Sequence, residues 1–166
     1  VAYAAIANGG RLIRPRIVTR IQDANKTLSR RIAPKVASVL QPTTPEAIDE
    51  VRRGLYRAVW DKKRGTALKA QSKLVPMSGK TGTAQVRQLS RGTNRHAITE
   101  FKHRDHAWFA GYAPFEDPQW VVVVFLEHGG SGGKNAAPMA RRIMDDIQKR
   151  VQDLSSPTVQ SKAVAQ

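Results

Sequence analysis

A chain of 166 residues with 40% hydrophobic content has room for one domain with a buried core. Its longest apolar run, Trp120 to Leu126, is far too short to cross a bilayer, and with no cysteine it can build neither a disulfide scaffold nor a thiolate metal site. Lys and Arg number 28 against 13 acidic residues, a formal charge of +15 that draws anionic partners such as nucleic acid, acidic lipid headgroups or anionic wall polymers.

Val1 to Ala7 is apolar and rich in helix formers, and it stops at Asn8-Gly9-Gly10, so it reads as the end of a longer helix with its C-cap. Arg16 to Ile21 alternates weakly and predicts a strand, Asp23 to Lys26 a turn, and Leu28 to Ile32 a second weak strand, together a small hairpin beside the main sheet. Pro42 to Pro45 break the chain, with Thr44 as an N-cap and Pro45 as the first helical residue. Ile48, Val51, Leu55 and Val59 then recur at helical spacing and predict an amphipathic helix from Glu46 to Trp60, with Arg52 and Arg53 facing away from the core.

A strand is expected from Lys80 to Val86. It runs into a long polar loop, Arg87 to Arg104, which holds five basic residues and one acid, Glu100. Two readings of this loop stand side by side: a mobile segment at a site mouth that contacts glycan, a partner or a second substrate, and an insertion with no role. Ala107 to Tyr112 and Trp120 to Leu126 are the clearest strands, joined by a turn at Ala113 to Pro118. The unbroken β-branched run at Val121 to Phe125 predicts burial on both faces, and the short connections predict antiparallel neighbours. A final helix starts near Ala136 with Pro138 in its first turn, and Met139, Ile143, Ile147 and Val151 form its core stripe. Residues 1–152 read as one domain portion and 153–166 as a flexible tail. The fold class is α/β of the α+β type, an antiparallel sheet flanked by helices.

The stretch with chemical content is Met77-Ser78-Gly79-Lys80-Thr81-Gly82-Thr83-Ala84-Gln85-Val86. In extended geometry Thr81 and Thr83 share one strand face and Lys80 starts the other. This makes a short rail of hydroxyls beside a fixed cation, and Gly82 leaves the rail bare for another backbone to approach. Such a rail suits an extended peptide ending in a carboxylate. The plain alternative is an edge strand whose lysine discourages aggregation.

Ser78-Gly79-Lys80-Thr81-Gly82-Thr83-Ala84-Gln85 resembles the third active-site motif of the penicillin-binding proteins. Asp105 to Pro114 resembles the strand that follows the motif in that family, His128 to Pro138 the turn into its last helix, and Ala2 to Gly10 the helix end before the region. Gly65-Thr66-Ala67 likewise matches a segment just before the motif strand. The resemblance covers about residues 1 to 152 and is strongest to class B members, the penicillin-binding protein 2 group of rod-shape elongation.

That family also carries a Ser-x-x-Lys nucleophile motif and a Ser-x-Asn motif upstream of Lys-Thr-Gly. No Ser-x-Asn occurs here, and the one Ser-x-x-Lys, Ser131-Gly132-Gly133-Lys134, follows the third motif in a glycine-rich turn that reads as a connection. The chain therefore resembles the C-terminal part of a transpeptidase domain, supplying one wall of an active site whose serine lies outside it.

The resemblance implies the fold shared by penicillin-binding proteins and serine β-lactamases. It also implies a peptidoglycan D,D-transpeptidase that forms an acyl-serine intermediate and is trapped by β-lactams. Lys80 and Thr83 would be catalytic, and Lys80, Thr81, Gly82 and Thr83 would bind substrate. Implied partners are peptidoglycan stem peptides, β-lactam antibiotics and cell-elongation membrane proteins. The implied location is the periplasmic face of a bacterial inner membrane, with the anchor upstream. No cofactor is implied.

Nucleic acid is not among the expected partners, because the cations are scattered and no basic-aromatic platform stands out; most of the charge reads as a solvated face near an anionic membrane or wall. His96, His103, Asp105 and His106 match no standard zinc spacing and read as surface and strand-edge residues, with no metal expected. Two other classes stay open: a serine β-lactamase or penicillin-sensor domain, and a non-enzymatic basic binding domain.

Overall fold

The structure is a computed structural model that describes residues 1–25, 29–41, 44, 46–86 and 100–155. Pro45, residues 87–99 of the long loop, His96, and 156–166 of the expected tail lie outside the described residues. The chain divides into two units, Val1–Arg52 and Arg53–Gln166.

In the first unit, helix α1 (Ala2–Ala7) ends where Asn8 takes over as its cap. The Asn8 side chain accepts the Arg11 N–H at 2.8 Å and donates to the Arg11 carbonyl at 2.9 Å, which turns the chain into β1 (Arg11–Ile13). Gly10 has φ +99°, and a Cβ there would meet the Ile48 side chain at 2.9 Å, so this turn needs glycine twice over. β1 pairs antiparallel with β4 (Val36–Val39), and β2 (Arg20–Gln22) pairs antiparallel with β3 (Ser29–Arg31). The expected hairpin is therefore present, but its first strand is confined to Arg20–Gln22. The residues before it, expected as strand from Arg16, are irregular, and the Arg16 guanidinium donates to the Ile32 carbonyl. The β1–β4 pair was not expected: each strand is too short to show a period, and its partner is far along the chain.

Helix α2 (Ala47–Trp60) begins in the first unit and ends in the second. Its expected face is only partly buried: Val59 is inaccessible, whereas Val51 is 48% exposed and lines an open apolar groove with Ile6, Leu40 and Ile48. Arg52 does not face freely outward. It is half-buried and lies 3.7 Å from Asp49 one turn back.

The second unit is built on a three-stranded antiparallel sheet in the order β5-β6-β7, with β5 at Ser78–Ala84, β6 at His106–Ala113 and β7 at Trp120–Leu126. Helix α3 (Ala137–Ser155) covers one face, where Phe109, Val122 and Val124 meet Ala140 and Met144 in the core. On the other face Val121, Val123 and Phe125 are 43%, 57% and 46% exposed. The expectation that β7 is buried on both faces is thus corrected. A β-branched run fixes strand type but not how many faces are covered, and among the described residues only one face of β7 carries a helix.

The stripe assigned to α3 is also corrected. Met139, Ile143 and Val151 are exposed, and the core face runs through Ala137, Ala140, Met144 and Ile147. Steps of four residues drift by roughly 40° each around a helix of 3.6 residues per turn, so a stripe of such steps leaves the interface, while alternating steps of three and four stay on it. The helix side facing the sheet is also small, with Ala137 and Ala140 fully buried, which lets the backbone come close.

The segment before β5 is tied to α3 by one hydroxyl. Ser72 accepts the N–H groups of Leu74 (2.9 Å) and Val75 (3.1 Å) and donates to the Asp145 carboxylate. Ser72→Ala removes all three bonds at a site only 5% exposed. It is expected to cost about 1–3 kcal/mol in urea unfolding, and a loss below about 0.5 kcal/mol would show that the bonds are replaced by water.

Candidate active site

β5 lies at one margin of the sheet, so its outer edge carries no strand among the described residues. Its register is fixed by β6: Thr81 opposes Phe109, Gly82 opposes Trp108 and Thr83 opposes Ala107. Phe109 and Ala107 are fully buried, which anchors the Thr81 and Thr83 face toward the core side, whereas Lys80 and Gly82 belong to the opposite face. The motif strand starts two residues earlier than expected, at Ser78, and stops at Ala84.

Lys80 and the hydroxyls, which alternation assigns to opposite faces, meet at the strand edge. The Lys80 ammonium folds round to donate to the Thr81 carbonyl at 3.0 Å and to Thr81 Oγ1 at 3.4 Å. Thr81 Oγ1 in turn donates to Thr66 Oγ1 at 3.2 Å. This chain leaves the Thr66 hydroxyl proton and the one remaining ammonium proton as donors for an anion. Lys80 and Thr83 are exposed, and Thr81 and Gly82 are half-buried, so the rail is reachable.

Thr66 was not among the expected site residues. The signal was present in Gly65-Thr66-Ala67, but nothing in a linear pattern says that a hydroxyl 15 residues away comes within bonding distance of Thr81. The fold brings it there through the turn after α2. There the Gly65 N–H donates to the Asp61 carbonyl at 2.7 Å and the Ala67 N–H to the Ala58 carbonyl at 2.9 Å. The Asp61 carboxylate closes the same turn by accepting the Lys63 N–H at 2.8 Å and the Arg64 N–H at 3.1 Å. These two bonds, the Lys63 one first, hold its carboxyl below the usual carboxylate range. A cavity of about 520 Å³ opens beside the rail, with Arg57, Asp61, Arg64, Thr66 and Lys80 in its lining.

The glycine pair 132–133 seats this arrangement from behind. A Cβ on Gly132 would lie 2.4 Å from the Gly82 carbonyl, and one on Gly133 would lie 2.6 Å from the Thr66 carbonyl. Only bare backbone lets this π-helical turn, Gly132–Ala136, rest against β5 and the Thr66 turn together. Ser131 has a structural task here: its Oγ accepts the Lys134 N–H at 3.3 Å and caps the turn, and the exposed Lys134 is bound through its backbone. Gly82 is also close to Trp108, whose Cβ lies 3.2 Å from where a Gly82 Cβ would sit.

Among the described residues the histidines bond outside the rail. His106 Nδ1 accepts the His128 N–H at 2.9 Å, and His103 Nδ1 lies 2.5 Å from a Glu100 oxygen. Asp105 is 7% exposed, and its carbonyl accepts the Gly130 N–H at 2.7 Å. Among the described residues no group of three or more metal-ligating side chains is assembled.

A family model for the penicillin binding protein transpeptidase domain matches residues 1–145. The chain belongs to that family. Transpeptidase-domain relatives agree in sequence and in fold. The peptidoglycan D,D-transpeptidase MrdA of Haemophilus influenzae is 36% identical over 151 residues, covering 87% of this chain and 22% of that protein. The solved penicillin-binding protein 2 of Pseudomonas aeruginosa, in complex with WCK 5153, has a TM-score of 0.63 at 32% identity, covering 86% of this chain and 27% of that one. The Helicobacter pylori penicillin-binding protein 2, solved in complex with MreC, shares the fold with a TM-score of 0.62 at 24% identity and covers 92% of this chain and 24% of that one. This chain thus spans about a quarter of the length of the relatives it matches.

Proposed function

We propose that the protein carrying this chain is a peptidoglycan D,D-transpeptidase and that the rail of Lys80, Thr81, Gly82 and Thr83 is the donor-peptide wall of its active site. The observation that carries this reading is the Lys80–Thr81–Thr66 chain of donors on the open edge of β5. An extended peptide adds to that edge as a strand, and its terminal carboxylate meets the ammonium and the hydroxyls.

In this reading a serine outside the chain attacks the penultimate D-alanine carbonyl. The carbonyl oxygen gains the negative charge of the tetrahedral intermediate and is held by the Thr83 backbone N–H together with the serine's own amide. The C–N bond breaks, terminal D-alanine leaves with its amine protonated, and an acyl-serine ester remains. An amine of a second stem peptide then attacks that ester, forms the cross-link and returns the serine hydroxyl. A β-lactam enters as the donor does and stops at the ester. Lys80 and Thr83 act on the reacting centre, and Lys80, Thr81, Gly82 and Thr83 together hold the peptide's end.

The protein's site of action is the periplasmic face of a cell membrane. A cell-elongation membrane protein is the proposed docking partner, in line with the MreC complex of the Helicobacter pylori relative. Residues 87–104 follow the rail directly, and a role at its mouth predicts that deleting 89–99 from the whole enzyme slows cross-linking; unchanged cross-linking and acylation would remove that role.

The test is acyl transfer by the full-length protein from a synthetic stem pentapeptide to an amine acceptor, read by mass spectrometry. A cross-linked product that benzylpenicillin abolishes is expected. Hydrolysis of the penicillin with no cross-link would move the reading to a β-lactamase. Salt-sensitive DNA binding with no reaction at all would move it to a basic binding domain.

A further inference from the structure

The cavity beside Lys80 carries more positive charge than one terminal carboxylate needs. Arg57, Arg64 and Lys80 share its lining with a single carboxylate, Asp61. That carboxylate is already engaged through Oδ1 by the Lys63 and Arg64 N–H groups, so its first task is to close the turn after α2.

The floor of this cavity is cleared by sequence choice. Gly54 and Ala58 line it one helical turn apart on α2, and a Cβ built on Gly54 would meet nothing within 4 Å. Helix chemistry explains part of the charge, since Arg57 lies in the last turn of α2, where a cation offsets the helix dipole. It does not explain Arg64, which lies beyond the helix, or why both arginines share a cavity with the rail lysine.

We infer that Arg57 and Arg64 form a second anion subsite, which selects donor peptides carrying a side-chain carboxylate in addition to the C-terminal one. The inference rests on the transpeptidase reading, because it takes the first carboxylate to lie on the Lys80 rail. Guanidinium forks are the groups that hold a carboxylate by paired N–H bonds, and a subsite walled by Gly54 and Ala58 has room for the side chain that brings it. A peptide with its side chain amidated would gain no such charge-assisted bonds.

The experiment uses the full-length protein and two synthetic stem peptides that differ only in a side-chain carboxylate or primary amide. The readout is the ratio of kcat/KM for acyl transfer from the two. The carboxylate peptide is expected to be favoured by about tenfold or more, the effect of one or two charge-assisted hydrogen bonds. In the Arg57→Ala, Arg64→Ala double variant that preference is expected to fall to within about twofold. A ratio is insensitive to the fraction of folded enzyme. Should the double variant not accumulate, Arg64→Gln alone, outside α2, is expected to lose part of the preference. An unchanged ratio in the variants, or no preference in the unsubstituted protein, would overturn the subsite while leaving the transpeptidase intact. No transfer from either peptide and no labelling by benzylpenicillin would instead remove the transpeptidase reading and the subsite with it.

Discussion

In the full-length protein, Lys80→Ala is expected to lower the second-order rate of acylation by benzylpenicillin by about 10²- to 10³-fold, the loss typical of one preorganised charged or oxyanion-binding donor. The ammonium does two things that alanine cannot do. It places positive charge at the rail, and it donates to Thr81 Oγ1, whose own proton is thereby directed to Thr66. Without it the Thr81 hydroxyl is free to rotate, and a carboxylate held as proposed would lose its ammonium partner. Folding should be indifferent, since Lys80 is exposed and its bonds go to the neighbouring residue. The thermal midpoint is therefore expected to stay within the range of an ordinary surface substitution, about 0.5 kcal/mol. Lys80→Arg keeps the charge but replaces a compact ammonium with a planar fork, so it should recover only part of the rate. Acylation of Lys80→Ala at a near-normal rate would refute the assignment.

Phe109→Ala should have the opposite profile, a large loss of stability that reaches the site through the strand. The ring is fully buried and lies across two glycines, with its edge 2.5 Å from where a Gly79 Cβ would sit and 2.9 Å from a Gly111 Cβ. Phe109 also opposes Thr81 on β5 and Val124 on β7, so it supports the motif strand from the adjacent one. Removing it leaves a cavity that small neighbours cannot fill, and the expected cost is about 3–5 kcal/mol in urea unfolding. Acylation should fall only as far as the unfolded fraction and the looser β5 require, so a stabilising osmolyte should restore part of it. A cost below about 1 kcal/mol would mean that β5 is held mainly from elsewhere.

The two substitutions divide what the sequence made legible from what it did not. The motif strand, the other two strands of its antiparallel sheet and both long helices could be read from β-branched runs, helical spacing and the Lys-Thr-Gly context, because these signals are local. The hydroxyl partner of Thr81 could not, because Thr66 is brought to it by the turn that Asp61 closes. The same holds for Arg57 and Arg64, which in the sequence are two of many scattered cations and share a cavity with Lys80 only after α2 and its turn have folded. The exposed face of β7 was misread for a related reason: Val121 to Phe125 reports the strand's preference, while burial depends on what the rest of the structure lays over it. The core stripe of α3 was misread by geometry, since residues four apart creep round the helix and the alanines that face the sheet are weak hydrophobic signals. Ser131 shows the converse. A Ser-x-x-Lys pattern is present in sequence, yet its hydroxyl is occupied with the Lys134 backbone in capping a turn.

The most direct test of the central claim is the intact mass of the full-length protein before and after benzylpenicillin, followed by peptide mapping of the adduct. The account predicts one stable penicilloyl adduct, on a serine outside residues 1–166, formed at a rate that Lys80→Ala depresses. No adduct, or an adduct on Ser131, would contradict it.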